Sequence, residues 1–164
     1  MQRLLAFAAG VSVVSVAACS DSPSAPSETL LEQVRAEVSV FSSPESAAAA
    51  GYVEDPHCVA HPELGGMGFH WINEELIDPV FDPLQPEGLL YGPTADGGRE
   101  LLGVEYIVID VGQDHPQFDG HPFDVGGVPP LEEVEVAHWS LHVWTHEENP
   151  SGDFMPFNPN VSCD

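Results

Sequence analysis

The chain has 164 residues, and 27 acidic side chains against 3 Lys and Arg give it a formal net charge of −24 at pH 7. Phosphate groups are bound by basic patches, so this composition excludes nucleic acid and anionic lipid surfaces as charge-complementary partners. Acidity of this degree is typical of a soluble, self-repelling surface.

Residues 1–18 have the pattern of a secretory signal peptide, with a positive residue near the start and an apolar segment that ends in small residues. The segment Val16-Ala17-Ala18-Cys19 resembles the cleavage site of bacterial lipoproteins. The resemblance implies that Cys19 is lipidated and becomes the new N-terminus. The protein is then anchored to a membrane of the cell envelope and faces outside the cytoplasm. The alternative is an ordinary signal peptide in which the Cys is accidental.

The remaining chain divides into a tether and a folded part. Residues 19–28 are rich in Ser and Pro, a composition that predicts a flexible tether. Residues 29–164 have a length that suits a single extracytoplasmic domain with one core.

Two helices are predicted at the start of this domain. Thr29 and Glu32 have capping-box spacing, and the apolar residues that follow recur at helical intervals up to Phe41. A second helix is predicted over residues 44–50, where Ser43 is the N-cap and Gly51 ends the helix.

From residue 52 onward the sequence predicts strands. Pro and Gly recur every few residues, and the segments between them are β-branched and aromatic. A long loop over 112–130 is typical of a lid, a partner site or a mobile segment. The predicted fold class is α+β, with an N-terminal helical arm packed on a mainly antiparallel sheet or small barrel. The predicted strands cover residues 57–60, 66–72, 87–91, 100–111 and 133–146.

The two cysteines after Cys19 are Cys58 and Cys163. Outside the cytoplasm two thiols usually pair, which favours a disulfide that closes a loop of roughly 100 residues. The alternative is a Cys58 thiolate that binds a metal, because His57 and His61 flank it.

Glu105 is the acidic exception in an apolar strand. By alternation it shares a face with Leu101, Gly103, Ile107 and Ile109. A buried carboxylate is costly unless it is paired or bound to a cation. The chain has no Lys, and only Arg35 and Arg99 follow residue 18, so the expected partner is a His or a metal ion.

Histidines on the last predicted strand are the candidate partners. His138 and His142 have a spacing that suits a metal on a helix, but on a strand residues four apart lie about 13 Å from each other. One ion cannot easily bridge that distance, so His142, in the middle of the strand, is the better candidate. His138 would contribute only through a β-bulge.

His70 follows a glycine-rich segment that leaves space beside it, and completes a proposed metal site of His70, Glu105 and His142. Two imidazoles and one carboxylate suit zinc, iron(II), manganese or copper(II). The alternative is a metal-free network in which a buried His donates a hydrogen bond to Glu105. A weaker alternative is a copper site of His61, Met67 and His70.

The chain from Gly51 to Cys163 resembles a family of secreted or lipid-anchored bacterial proteins of uncharacterised function. The resemblance implies an extracytoplasmic domain and groups His70, Glu105 and His142, but it implies no activity. The segments that carry it are Gly51-Tyr52, Cys58-Val59, Gly66-Met67-Gly68-Phe69-His70, Leu89-Leu90-Tyr91, Gly103-Val104-Glu105-Tyr106, Leu141-His142-Val143-Trp144 and the closing Asn149-Pro150-Ser151-Gly152 to Asn158-Pro159-Asn160-Val161-Ser162-Cys163.

The leading functional hypothesis is a lipid-anchored protein that binds a metal or small ligand through His70, Glu105 and His142. The second is an enzyme on the same residues, in which Glu105 or His142 is a general base with or without metal-bound water. The third is an accessory subunit of a membrane complex, whose acidic surface docks a basic protein partner.

Overall fold

The computed structural model describes residues 28–126 and 135–163. The predicted signal peptide over 1–18, the lipidation site at Cys19 and all of the predicted tether over 19–28 except Glu28 lie outside these residues, so these assignments stay predictions. Within the described part of the chain, no helix has the length and apolar character needed to cross a membrane.

The helical arm forms where the caps predict it. Helix α1 covers Leu30–Val38, followed by a 3-10 turn over Ser39–Phe41, and helix α2 covers Pro44–Ala49. Thr29 Oγ1 accepts a hydrogen bond from the Glu32 amide at 3.2 Å, and the Glu32 carboxylate accepts one from the Thr29 amide at 2.7 Å. This reciprocal pair satisfies two N–H groups that lack a partner inside the helix.

The fold is α+β, as predicted, with a mainly antiparallel sheet curled into a half-barrel. The strands are β1 Val53–His61, β2 Gly65–Ile72, β3 Gly88–Pro93, β4 Arg99–Ile109, β5 Gln117–Phe118, β6 His121–Pro122, β7 Asp124–Val125 and β8 His138–Val143. Six of them pair antiparallel in the order β1-β2-β3-β4-β8-β7, and β5 and β6 form a separate two-stranded sheet. A short 3-10 helix, Glu74–Leu76, follows β2.

Two predicted segments differ from the structure. The strand predicted over 133–146 is shorter, because β8 begins at His138 and ends at Val143. The predicted loop over 112–130 contains three two-residue strands, and the last of them, β7, adds to the sheet by pairing with β8. Part of each prediction falls in residues 127–134, outside the described ranges.

The two faces of the sheet pack against different partners. We call the side that packs against α1 and α2 the helix face; its core includes Val104, Tyr106 and Leu141. The opposite side, the tail face, packs Leu90 and Trp144 against Val161 of the C-terminal tail. The sheet therefore has two buried faces over much of its area.

The alternation predicted for β4 is wrong at one position. Leu101 packs with the core of the helix face, whereas Leu102 packs in the cluster of the tail face. The cause is a register shift between the pairs Leu90–Gly103 and Tyr91–Leu101. Glu105 therefore does not share a face with Leu101.

The Cys58–Cys163 disulfide is present, with the two Cα atoms 5.7 Å apart and 105 residues between the cysteines in sequence. The Cys58 thiolate is therefore not available as a metal ligand. The disulfide also ties the tail to β1, next to the backbone pairing of Gly66 with Asn158. This connection holds the tail over the tail face.

Candidate metal centre

The three residues that the sequence groups as a metal site lie together in the structure. His70 on β2, Glu105 on β4 and His142 on β8 each offer a ligand atom, and the three atoms lie within 4.8 Å of one another. His70 is 4% exposed, and Glu105 and His142 are each 1% exposed. Among the described residues, this is the one group of three or more His, Cys, Asp or Glu with such geometry.

Strand register places these side chains. Glu105 is directly opposite His142 across the β4–β8 ladder and opposite Gly88 across the β3–β4 ladder. His70 lies on β2, with β3 between it and Glu105. Gly88 has no side chain on this strand, and a Cβ added there would lie 2.9 Å from the Glu105 Cβ. Gly88 therefore leaves the space in which the carboxylate and the imidazoles meet.

The distances between the ligand atoms suit one ion. His70 Nε2 lies 3.3 Å from His142 Nε2, 3.7 Å separates His70 Nε2 from Glu105 Oε2, and 3.7 Å separates His142 Nε2 from Glu105 Oε1. Ligands at 2.0–2.1 Å in a tetrahedral shell lie about 3.3 Å from one another. A transition-metal ion therefore fits among these atoms with small side-chain adjustments.

The Glu105 carboxylate has no hydrogen-bond partner among the described residues, although both of its oxygens are buried. The metal-free alternative needs a His that donates to Glu105, but both imidazoles are 3.7 Å from it, beyond hydrogen-bonding distance. The shortest contact in the group is instead between the two imidazoles. A buried carboxylate left unpaired in this way is costly, and a bound cation removes that cost.

Burial sets the protonation of the group. Desolvation lowers the pKa of His70 to about 4, and it lowers the pKa of His142 well below its usual value. Both imidazoles are therefore neutral at pH 7 and keep a lone pair for a metal. Desolvation, with a smaller contribution from the charge of Glu87, raises the pKa of Glu105 to about 8. A bound ion opposes this rise because it stabilises the carboxylate.

The second ring nitrogen of each site histidine, Nδ1, bears on how tightly a metal is bound. The Nδ1 atoms of His70 and His142 are buried without a hydrogen-bond partner among the residues that the structure describes. Metal-binding histidines usually donate this N–H to an acceptor, and loss of such a partner lowers metal affinity about 10- to 100-fold. We therefore expect moderate rather than very tight metal binding.

Other predicted histidines do not join the group. His138 is opposite Ile109 on β4, four residue pairs along the β4–β8 ladder from the Glu105–His142 pair, and its Nδ1 lies 2.7 Å from the Val136 carbonyl. The β4–β8 ladder has no bulge that brings His138 to Glu105, so His138 and His142 are too far apart along the strand to bind one ion, as predicted.

The copper alternative is not supported by the sheet register. His61 is at the far end of β1, opposite Gly65, five positions before His70 on β2. Five residues along a strand span about 16 Å, too far for one ion. The His61 ring packs instead near Phe157.

Asp55 is a neighbour of the site that the sequence analysis missed. The register of β1 on β2 shifts between Glu54 and Cys58, which places residues 55–57 beside His70. The Asp55 pKa is lowered, chiefly by a hydrogen bond from the His57 amide and in part by the charge of His70. Pro56 was the available signal, because Pro inside a strand marks an edge or a bulge.

Comparison of the chain with models of protein families, with curated proteins and with solved structures found no match in any of the three. The chemistry of the site therefore follows from its own residues: two neutral imidazoles and one buried carboxylate that come together on one face of the sheet.

Proposed function

We propose that the protein is a lipid-anchored, extracytoplasmic metal-binding protein, in which His70, Glu105 and His142 hold one divalent transition-metal ion. The observation that carries the proposal is the buried Glu105 carboxylate, which has no hydrogen-bond partner within residues 28–126 and 135–163 and lies 3.7 Å from each of two imidazoles. The disulfide between Cys58 and Cys163 supports an oxidising compartment and agrees with the proposed location.

The donor set narrows the metal to a class. Two imidazole nitrogens and a carboxylate suit zinc, iron(II), manganese and copper(II), whereas calcium and magnesium prefer all-oxygen shells. Three protein residues leave at least one coordination position for water or another small ligand. The site is thus suited to a bound ion that keeps an exchangeable ligand.

The test is elemental analysis of the intact protein after chelator treatment and reloading with each of the four metals. We expect about one equivalent of at least one metal in the wild type and less than a tenth of an equivalent in His142→Ala. His57→Ala is the matched control, because its side chain is 85% exposed and lies outside the group. Uptake that is equal in His142→Ala and His57→Ala contradicts the proposal.

Catalysis on the same residues is a second candidate, and one observation favours it. A cavity of about 850 Å³ reaches Ile72, which lies in one row of paired residues with Glu105, and Ile107, the next residue along that face of β4. In this candidate the two imidazoles would hold the ion, and Glu105 would be the general base for a water on the ion rather than a ligand. The test is metal-dependent ester hydrolysis, measured per bound metal, that is lost in Glu105→Gln; activity that persists in this variant rejects the candidate.

A further inference from the structure

A large groove lies on the tail face beside the proposed metal site and is separate from it. Its volume is about 850 Å³, within the range of pockets for small organic ligands, and none of the three metal-site residues lines it. Its apolar lining includes four isoleucines, which are Ile72, Ile77, Ile107 and Ile109.

The sheet register shows how the groove is placed. Ile107 is paired with Ser140, which is the next pair after Glu105–His142 on the same face of the sheet, and Ile109 is paired with His138. The groove therefore extends from the edge of the metal site along β4 and β8 to His138, which also lines it. A ligand in the groove lies next to the ion without replacing any of its protein ligands.

His138 gives the groove a polar anchor. The residue is 4% exposed, and its Nδ1 lies 2.7 Å from the Val136 carbonyl, so this nitrogen carries the proton. In the neutral ring Nε2 is then an acceptor, and it has no hydrogen-bond partner among the described residues. The Ser140 hydroxyl lies two residue pairs closer to the metal site, and it also has no hydrogen-bond partner among the described residues. A buried acceptor of this kind calls for a donor, and a ligand supplies one.

The charges around the groove are negative. Glu54, Asp55, Glu74 and Glu75 line it, and no Lys or Arg of the described part of the chain does. Glu54 is paired with Arg99 at 3.3 Å, whereas Glu74 and Glu75 are exposed on the 3-10 helix after β2. Such a rim attracts a cation and repels carboxylate or phosphate ligands.

We propose that this groove binds a small amphiphilic organic cation, whose apolar body packs on the isoleucines and whose ammonium group donates to His138 Nε2. The acidic rim at Glu74 and Glu75 supplies the charge complementarity. The inference goes beyond metal binding, because no residue of the metal site is needed for it.

The test is calorimetric titration of the intact, chelator-treated protein in zwitterionic nanodiscs, with empty nanodiscs as the blank. The probes share one body and differ in their polar group: cyclohexylmethylammonium, cyclohexylmethanol and cyclohexanecarboxylate. We expect the ammonium probe to bind about tenfold more tightly than the carboxylate, with the alcohol between them. Equal or tighter binding of the carboxylate, or no binding of the ammonium probe, overturns the proposal.

Variants then locate the binding site. His138→Phe keeps an aromatic ring but removes the acceptor, and we expect it to weaken the ammonium probe about tenfold. The double variant Glu74→Gln/Glu75→Gln should weaken it about threefold. Glu37→Gln/Glu45→Gln is the matched control, because it removes two exposed charges from the helical arm and should leave affinity unchanged. Unchanged affinity in both groove variants overturns the assignment.

The two proposals fail separately in this design. His142→Ala should lose the metal and still bind the ammonium probe, whereas His138→Phe should keep the metal and bind the probe weakly. Retained metal uptake in His138→Phe also shows that this variant is folded. Loss of probe binding in metal-free His142→Ala overturns the placement of the groove outside the metal site.

Discussion

Glu105 lies directly opposite His142 in the β4–β8 ladder, and its Oε1 is 3.7 Å from the imidazole Nε2. In an antiparallel sheet such a pair is the closest cross-strand contact on one face. The separation is too long for a hydrogen bond and suits two ligands of one ion. We therefore expect the ionised carboxylate to destabilise the metal-free protein and to bind a cation.

Glu105→Gln tests both effects of the carboxylate, on the stability of the metal-free protein and on metal binding. The pKa of Glu105 is raised to about 8 by burial, so in the metal-free protein its ionised form destabilises the fold as pH rises through that value. Gln does not ionise, and we expect the metal-free variant to be more stable than the wild type at pH 9 by on the order of 2 kcal/mol. The same variant should lose metal uptake. Urea denaturation and elemental analysis measure the two effects, and a variant that keeps its metal contradicts the assignment.

Gly88→Ala tests the space at the site. The new Cβ would lie 2.9 Å from the Glu105 Cβ and 3.1 Å from the Ile72 Cδ1, so the carboxylate must move. We expect weaker metal binding and a loss of about 1–3 kcal/mol in unfolding free energy.

Gly97→Ala is the control for this substitution. Gly97 has a φ of +83°, and no atom of the described residues lies within 4 Å of an added Cβ, so Gly97→Ala strains the backbone without touching the site. It should lower stability by about 1–2 kcal/mol and leave metal affinity unchanged. Equal metal affinity in Gly88→Ala and the wild type would show that the space at Gly88 is not needed.

Glu87, the residue before β3, predicts a second pH dependence. Its carboxylate accepts a hydrogen bond from the Ile107 amide at 2.9 Å, but desolvation raises its pKa from 4.5 to about 7. The folded pKa is above the unfolded one, so the stability that this group contributes is full below about pH 4.5 and is lost as pH rises through 7.

Glu87→Gln keeps an oxygen that accepts from Ile107 and removes the titration. We expect the difference in unfolding free energy between Glu87→Gln and the wild type to shift in favour of the variant by about 3 kcal/mol between pH 4 and pH 9. Chemical denaturation across this range measures the difference. Parallel stability curves for the two proteins would rule out the raised pKa.

The disulfide should stabilise the fold and should hold the C-terminal tail over the face of the sheet that carries the metal site. Cys58 and Cys163 are 105 residues apart in sequence, and the chain-entropy model gives about 4–5 kcal/mol for a loop of this length, with measured values often lower. We expect Cys58→Ser/Cys163→Ser to lose stability and to exchange its metal faster, because the tail packs on the face that holds the site. Metal transfer to a chelator measures the exchange, and an unchanged rate would show that the tail does not limit access.

Lipidation at Cys19 is a prediction from sequence alone, and it has a direct test. Radiolabelled palmitate supplied to cells should label the wild-type protein. Cys19→Ser should carry no label and should keep its signal peptide, residues 1–18, uncleaved. Labelling that persists in Cys19→Ser contradicts the proposed anchor.

The sequence predicted the residues of the candidate site better than it predicted their surroundings. Glu105 could be identified because it lies among aliphatic residues in a chain that has no Lys to pair with it. His142 could be identified because the spacing along a strand places His138 too far away to bind the same ion. The helix caps at Thr29 and Ser43 are local patterns, and the structure confirms both.

The features that the sequence did not predict depend on register. The position of Leu101 on the helix face follows from a register shift in β4, and the approach of Asp55 to His70 follows from one in β1. Alternation along one strand cannot show where such shifts fall, because they depend on pairing with a neighbouring strand. The groove beside Ile107 also depends on which strands pair, since its walls come from separate parts of the chain.

X-ray absorption spectroscopy of the zinc-loaded protein tests the central claim most directly. We predict a first shell of nitrogen and oxygen at about 2.0–2.1 Å, with the outer-shell scattering of two imidazoles, and one imidazole fewer in any residual zinc bound by His142→Ala. A shell of oxygen alone, without imidazole scattering, would mean that zinc binds to surface carboxylates and would contradict the account.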